Sequence, residues 1–357
     1  VTKQIRPNTK LILEGLKDFQ RSTVDYVFRR MYLDEDRVHR FLVADEVGLG
    51  KTLVARGLIA KVIDHLWNDD RRIDIVYVCS NAEIARQNIA RLNVLGGKRC
   101  NFATRLTLLA ITLKELQKEK INFISFTPTT SFEMNSTGWS LERELIFHLL
   151  NNHIDNGNFK KMTQVLSASA GLDQFRNRVE SFGDRYTSPH PRIESNFIDG
   201  LKKEPAVLER FLDLCERMPR NGSRIPEELN RERNATIGEL RKMLAEAGLQ
   251  WLEPDLVILD EFQRFKELLC GDLDEASPAA ELAHKLFSFR DVESDPDTEA
   301  RVLLLSATPY KMFTTSQERE TDDHYADFQT TLKFLMPKQD QVDSVVSSIK
   351  DYRECMW

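Results

Sequence analysis

Between residues 11 and 32 the apolar positions Leu16, Phe19, Val27 and Met31, with Thr23 among them, recur at the spacing of one helix face, and the pattern predicts a helix. The next apolar stretch differs in kind. Phe41-Leu42-Val43-Ala44 is a short unbroken run before a glycine-containing turn, which predicts a buried strand. Residues 51–67 return to helical spacing through Leu58, Ile59, Val62, Ile63 and Leu66. Apolar runs at 73–79 and 121–126 predict two more strands, with a helical pattern over 83–95 between them. Strand signals come back at 255–259 and 302–305. Short apolar runs alternating with helical segments predict an α/β protein whose mostly parallel sheet is covered on both faces.

The stretch from 133 to 250 breaks that alternation. It is helical in pieces, at 141–150, 201–217 and 227–247, punctuated by Pro189, Pro191, Asn221-Gly222 and Pro226, and it has no convincing β run. The expected organisation is therefore a discontinuous α/β lobe over 1–132 and 251–340, a large helical insertion over 133–250, and a linker over 341–357. A length of 357 residues suits one domain carrying such an insertion, and 41% apolar residues suffice for a packed core. The chain starts at Val1 and stops at Trp357 in a helical pattern, as a piece of a longer protein would.

Composition narrows the setting. Cys79, Cys100, Cys215, Cys270 and Cys355 are scattered and form no C-x-x-C pair, which argues against a disulfide framework or a zinc site. No apolar run reaches the ~20 residues of a membrane span, and the amino terminus is too polar for a secretory signal. A cytoplasmic location without membrane attachment is the expectation. The net charge of −6 is concentrated between residues 261 and 300, where eleven acidic residues face four basic ones. The rest is close to neutral, without the basic footprint that announces a nucleic-acid binder.

Three segments carry chemistry. Ala44-Asp45-Glu46-Val47-Gly48-Leu49-Gly50-Lys51-Thr52 follows a strand and opens a helix. There Gly48, Leu49 and Gly50 would let backbone N–H groups curl around phosphates, Lys51 would reach the β and γ phosphates, and the Thr52 hydroxyl would meet Mg²⁺. The general phosphate-loop pattern has glycine where this chain has Asp45. Asp260-Glu261 ends an apolar strand at the edge where ligands of open α/β sheets bind; Asp260 would hold the Mg²⁺ shell and Glu261 would polarise the attacking water. Ser306-Ala307-Thr308-Pro309 also follows a strand, and its hydroxyls could bond the carboxylate site and a neighbouring domain, with proline fixing the turn.

Together these segments resemble the first RecA-like lobe of a superfamily-2 helicase or translocase. Asp45-Glu46-Val47-Gly48-Leu49-Gly50-Lys51-Thr52 is similar to motif I of Swi/Snf-type double-stranded DNA translocases, including the bacterial branch, and that family accepts Asp45 at its first position. Asp260-Glu261-Phe262-Gln263 resembles the Asp-Glu-x-His/Gln box, and Ser306-Ala307-Thr308 the coupling motif, so Gln263, Ser306 and Thr308 are implied to couple the lobes. Phe262 is bulky where Swi/Snf members usually have a small residue. Leu16-Lys17-Asp18-Phe19-Gln20-Arg21 resembles the element whose glutamine, here Gln20, reads adenine. Ser80 and Asn81 sit where motif Ia belongs, and Thr127, Thr129 and Thr130 where motif Ib would touch nucleic-acid phosphates.

The resemblance implies an ATP- and Mg²⁺-dependent motor that moves on DNA, duplex more than single-stranded, in bacterial genome maintenance or defence. It also implies a second RecA-like lobe that supplies the arginine finger, so this chain alone is expected to hydrolyse little ATP. The insertion, with Arg176, Arg178, Arg185 and Arg192, could add a track or a protein-partner surface. Two alternatives stay open: an ATP-gated switch or scaffold whose insertion binds a partner, and an RNA-directed helicase.

Overall fold

The computed structural model describes residues 6–45, 48–95, 105–154, 159–219, 223–269, 277–289, 299–306, 324–336 and 338–355. Strands β1 (Arg40–Ala44), β2 (Ile73–Cys79), β3 (Ile121–Phe126), β4 (Pro254–Asp260) and β5 (Arg301–Ser306) form one sheet in the order β1-β5-β4-β2-β3. All four pairings are parallel. From β2 to β5 every strand residue is buried, which is why these segments read as unbroken apolar runs. The edge strand β1 is only half covered.

Helices α1 (Asp18–Phe28), α2 (Lys51–His65) and α3 (Ala82–Leu92) share a core with one face of the sheet. Val27, Leu58, Ile59, Val62, Ala85 and Ile89 meet Ile75, Tyr77, Ile258, Leu303 and Leu305 there. The alternation of strand residues sends Asp260 toward this same face, because it is the register partner of both Leu305 and Cys79.

The helix expected over 11–32 is two helices and a tight turn. Thr9–Glu14 ends at Gly15, and α1 begins afresh at Asp18, where the Lys17 N–H donates to Gln20 Oε1 at 3.0 Å. Past Phe28 the chain widens into a π-helical turn, Arg29–Leu33. The first piece buries no residue; the buried periodicity is carried by Leu16 in the turn and by Gln20, Val24, Val27 and Phe28 of α1.

Two compact units make up the chain. One takes in the described residues of Val1–Phe102, Glu119–Thr129 and Glu253–Trp357, and the other those of Ala103–Lys118 and Thr130–Leu252. The second unit holds helices only, among its described residues, including α4 (Ser140–Asn151) and α5 (Glu227–Leu249). Residues 105–118, read from sequence as part of the α/β lobe, belong to this helical unit. Their short helix Leu109–Leu116 packs on α5, and a Cβ added at Gly248 would come within 3.1 Å of Leu109 Cβ.

A buried ionic group ties the helical unit together. Glu142, fully buried, accepts from Arg241 Nε at 2.9 Å, Arg105 Nη1 at 3.2 Å, Thr107 Oγ1 at 2.7 Å and the Trp139 N–H at 2.7 Å. Burial alone would raise its carboxyl, but Arg241, Thr107 and Arg105 together hold it below the usual range. Among the described residues no helix is long and apolar enough to cross a membrane.

Candidate functional site

The carboxyl ends of the parallel strands lie along one edge of the sheet, with Ala44 opposite Ser306, Leu305 opposite Asp260, and Asp260 opposite Cys79. An open cleft of about 580 Å³ occupies that edge. Gly48, Gly50, Lys51, Thr52, Cys79, Ser80, Ile84, Asn88, Asp260, Glu261 and Arg264 line it. Two segments 209 positions apart in sequence, the glycine turn with Lys51 and the doublet Asp260-Glu261, therefore meet in one cavity of the α/β unit.

Each wall follows from local chemistry. Gly48 and Gly50 hold φ of +92° and +85°, a region that a Cβ penalises, and Gly50 caps α2. The first turn of α2 carries no acidic side chain, so no carboxylate competes with an anion for the positive dipole end of this helix. Lys51 Nζ donates to the Asp45 carbonyl at 3.0 Å, which folds the lysine back over the turn. Gln20, 3% exposed, braces the same turn by donating to the Leu49 carbonyl at 2.8 Å.

Glu261 leaves β4 with φ +53°, one of two non-glycine residues in the left-handed region among the described residues. Such a conformation costs about 1–2 kcal/mol and persists where surrounding structure imposes it. Here the Glu261 N–H donates to the Leu305 carbonyl at 3.1 Å, and the half-buried side chain joins the cleft wall. The Asp45 N–H bonds the Ser306 carbonyl in the same way at 3.1 Å, so β5 anchors both chemical segments. The Gln263 side-chain amide donates to the Ser306 hydroxyl, bringing two of the expected coupling residues together.

Other sequence-derived candidates are placed differently. Ser80 lines the cleft, whereas the Asn81 side chain caps α3 by accepting from the Glu83 and Ile84 N–H groups at 2.8 and 3.3 Å. Thr127 is buried, Thr129 is exposed and Thr130 is half-buried; none lines the cleft. Thr308 lies outside the described residues. Three of the arginines singled out in the helical unit have acidic neighbours, Arg185 bonding Glu144 at 2.8 Å, Arg178 lying 3.9 Å from it and Arg176 lying 3.3 Å from Asp173.

Sequence reasoning missed Tyr77, Cys79, Asn88 and Arg264. Tyr77 O–H donates to Asp260 Oδ2, and Asn88 Nδ2 donates to both Tyr77 Oη at 2.8 Å and Asp260 Oδ2 at 3.2 Å. Burial first, then the Asp260 carboxylate, pushes the Tyr77 phenol far above its ordinary value and keeps it a donor. Burial likewise raises the Cys79 thiol, which removes it as a nucleophile at neutral pH. The overlooked signal was Asn88, a poor helix former on the face of α3 that buries Ala85, Ile89 and Leu92.

The oxygen donors Thr52 and Asp260 suit Mg²⁺, which takes one or two protein ligands and fills its remaining positions with phosphate and water. No group of three or more His, Cys, Asp or Glu residues among the described residues could hold a metal by itself, as a zinc or calcium cage would. Comparison of the chain with protein-family models and with curated proteins finds no match.

Proposed function

We propose that the α/β unit is a RecA-like, nucleoside-triphosphate-binding lobe of an ATP-driven translocase or helicase, of the superfamily-2 kind closest to Swi/Snf-type motors. The observation that carries this reading is the single cleft shared by Lys51, Thr52, Asp260 and Glu261. The glycine turn and the amino end of α2 would hold the β and γ phosphates, with Lys51 exchanging the Asp45 carbonyl for a phosphate oxygen. Thr52 and Asp260 would hold Mg²⁺, whose role when bound is to neutralise charge on the triphosphate. Glu261 would orient and deprotonate the attacking water.

Movement on nucleic acid follows from coupling that chemistry to a second lobe. Gln263 and Ser306, already bonded beside the acidic doublet, would pass the change in phosphate occupancy to the neighbouring lobe. Duplex DNA is the proposed track, gripped near Ser80 by contacts to phosphate rather than to bases. The helical unit would carry a partner or additional DNA contacts. The acidic neighbours of Arg176, Arg178 and Arg185 favour a partner surface over a continuous basic track.

Two measurements test the proposal. Calorimetric titration of the protein with MgATP should show binding that Lys51→Ala weakens at least tenfold; no binding by wild type would end the nucleotide reading. Phosphate release by the full-length protein, measured with duplex DNA, single-stranded DNA, RNA or no nucleic acid, should be highest with duplex DNA. Equal rates in all four would refute the motor and favour an ATP-gated switch.

A further inference from the structure

A strand buried on both faces has no need of a phenol. Phenylalanine would fill the Tyr77 position in the shared core, and a buried hydroxyl is costly unless it is bonded. Asn88 is equally out of place in the interior of α3, where asparagine is a poor helix former. Both converge on one atom. Asp260 Oδ2 accepts from Tyr77 Oη and from Asn88 Nδ2, the two donors are themselves bonded at 2.8 Å, and Oδ1 accepts no hydrogen bond among the described residues.

An aspartate carboxylate otherwise rotates easily about its terminal bond. Two donors on one oxygen fix its plane and spend that oxygen, and they stand on different elements, β2 and α3. We propose that Tyr77 and Asn88 are positioning residues that hold Asp260 by Oδ2 and so reserve Oδ1 for the divalent cation that enters with a nucleoside triphosphate. Outer partners of this kind orient metal ligands, and removing them typically lowers metal affinity about 10–100-fold. The inference rests on the nucleotide reading above and adds to it two residues outside the glycine turn and the acidic doublet.

The test uses a ribose-labelled fluorescent ATP analogue and compares its dissociation constant in Mg²⁺ with that in EDTA, for wild type, Tyr77→Phe and Asn88→Ala. Tyr77→Phe keeps the ring and loses only the hydroxyl. Asn88→Ala sits at a half-exposed helical site where alanine is well tolerated, so it serves if the first variant folds poorly. The expected result is that each variant binds within twofold of wild type in EDTA but loses about tenfold of the affinity that Mg²⁺ adds. An unchanged Mg²⁺ effect, or an equal loss with and without Mg²⁺, would reduce both residues to packing and overturn the inference while leaving the nucleotide reading intact. Wild type failing to bind the analogue in either buffer would overturn both.

Discussion

Gln20 donates its side-chain amide to the carbonyl of Leu49 at 2.8 Å, so a residue 29 positions upstream is built into the glycine turn. A Cβ at Gly50 would stand only 2.6 Å from Gln20 Nε2, which shows how closely the two are packed. Gln20→Ala should leave the Leu49 carbonyl without this donor and cost about 1 kcal/mol of stability. It should also weaken MgATP binding by loosening the turn. Urea denaturation and nucleotide titration check the two effects, and intact binding would confine Gln20 to a structural role.

Glu261 invites a pair of substitutions with opposite expectations. Glu261→Gln keeps the side-chain length and the left-handed backbone, so stability should stay the same while ATP is bound but not turned over. Glu261→Gly should relieve the backbone penalty and raise stability by about 1 kcal/mol, again with hydrolysis lost. Single-turnover phosphate release by the full-length protein and denaturation curves measure both. Turnover by Glu261→Gln at the wild-type rate would remove the residue from the water-activating role.

The amino end of β4 supplies a pH dependence. Asp255 accepts the Asp74 N–H at 2.9 Å and lies 2.5 Å from the Arg71 guanidinium, yet burial pushes its carboxyl up to about 6. The folded chain thus holds this proton more tightly than the unfolded chain, whose aspartates titrate near 3.9. The stability it contributes is complete below pH ~4 and lost as pH rises through ~6, up to roughly 3 kcal/mol. Denaturation between pH 4 and 7 should show wild type losing stability relative to Asp255→Asn; the opposite trend would contradict the assignment.

In the helical unit, Glu142→Ala should cost about 3–5 kcal/mol, because it strands the buried Arg241 and leaves Arg105 without its carboxylate. Gly138→Ala should also destabilise, since its φ is +63° and the added Cβ would fall 1.8 Å from Glu142 Oε2. Thermal unfolding checks both, and a loss under 1 kcal/mol for Glu142→Ala would mean that the neighbouring side chains rearrange to replace it.

Much of this was written into the sequence. Strands buried on both faces announce themselves as apolar runs, so all five were legible, as were the helices that cover them. Gly48 and Gly50 before Lys51-Thr52 signalled their turn because few residues tolerate positive φ, and Asp260-Glu261 stood out as charge at the end of an apolar run. The same reading overran the break at Gly15 and placed residues 105–118 in the wrong unit, because helical periodicity records that a face is buried without recording against what.

Only the tertiary structure decided which residues share the cleft. Strand order brings the end of β4 to the glycine turn with just β5 between them, and sheet register aims Asp260 at Tyr77 and Asn88. In sequence Tyr77 is one more apolar strand residue and Asn88 one more helical polar one. Their hydrogen bonds to Asp260 join positions more than 170 residues apart, and pairings of that range are fixed by packing geometry rather than by any local pattern along the chain.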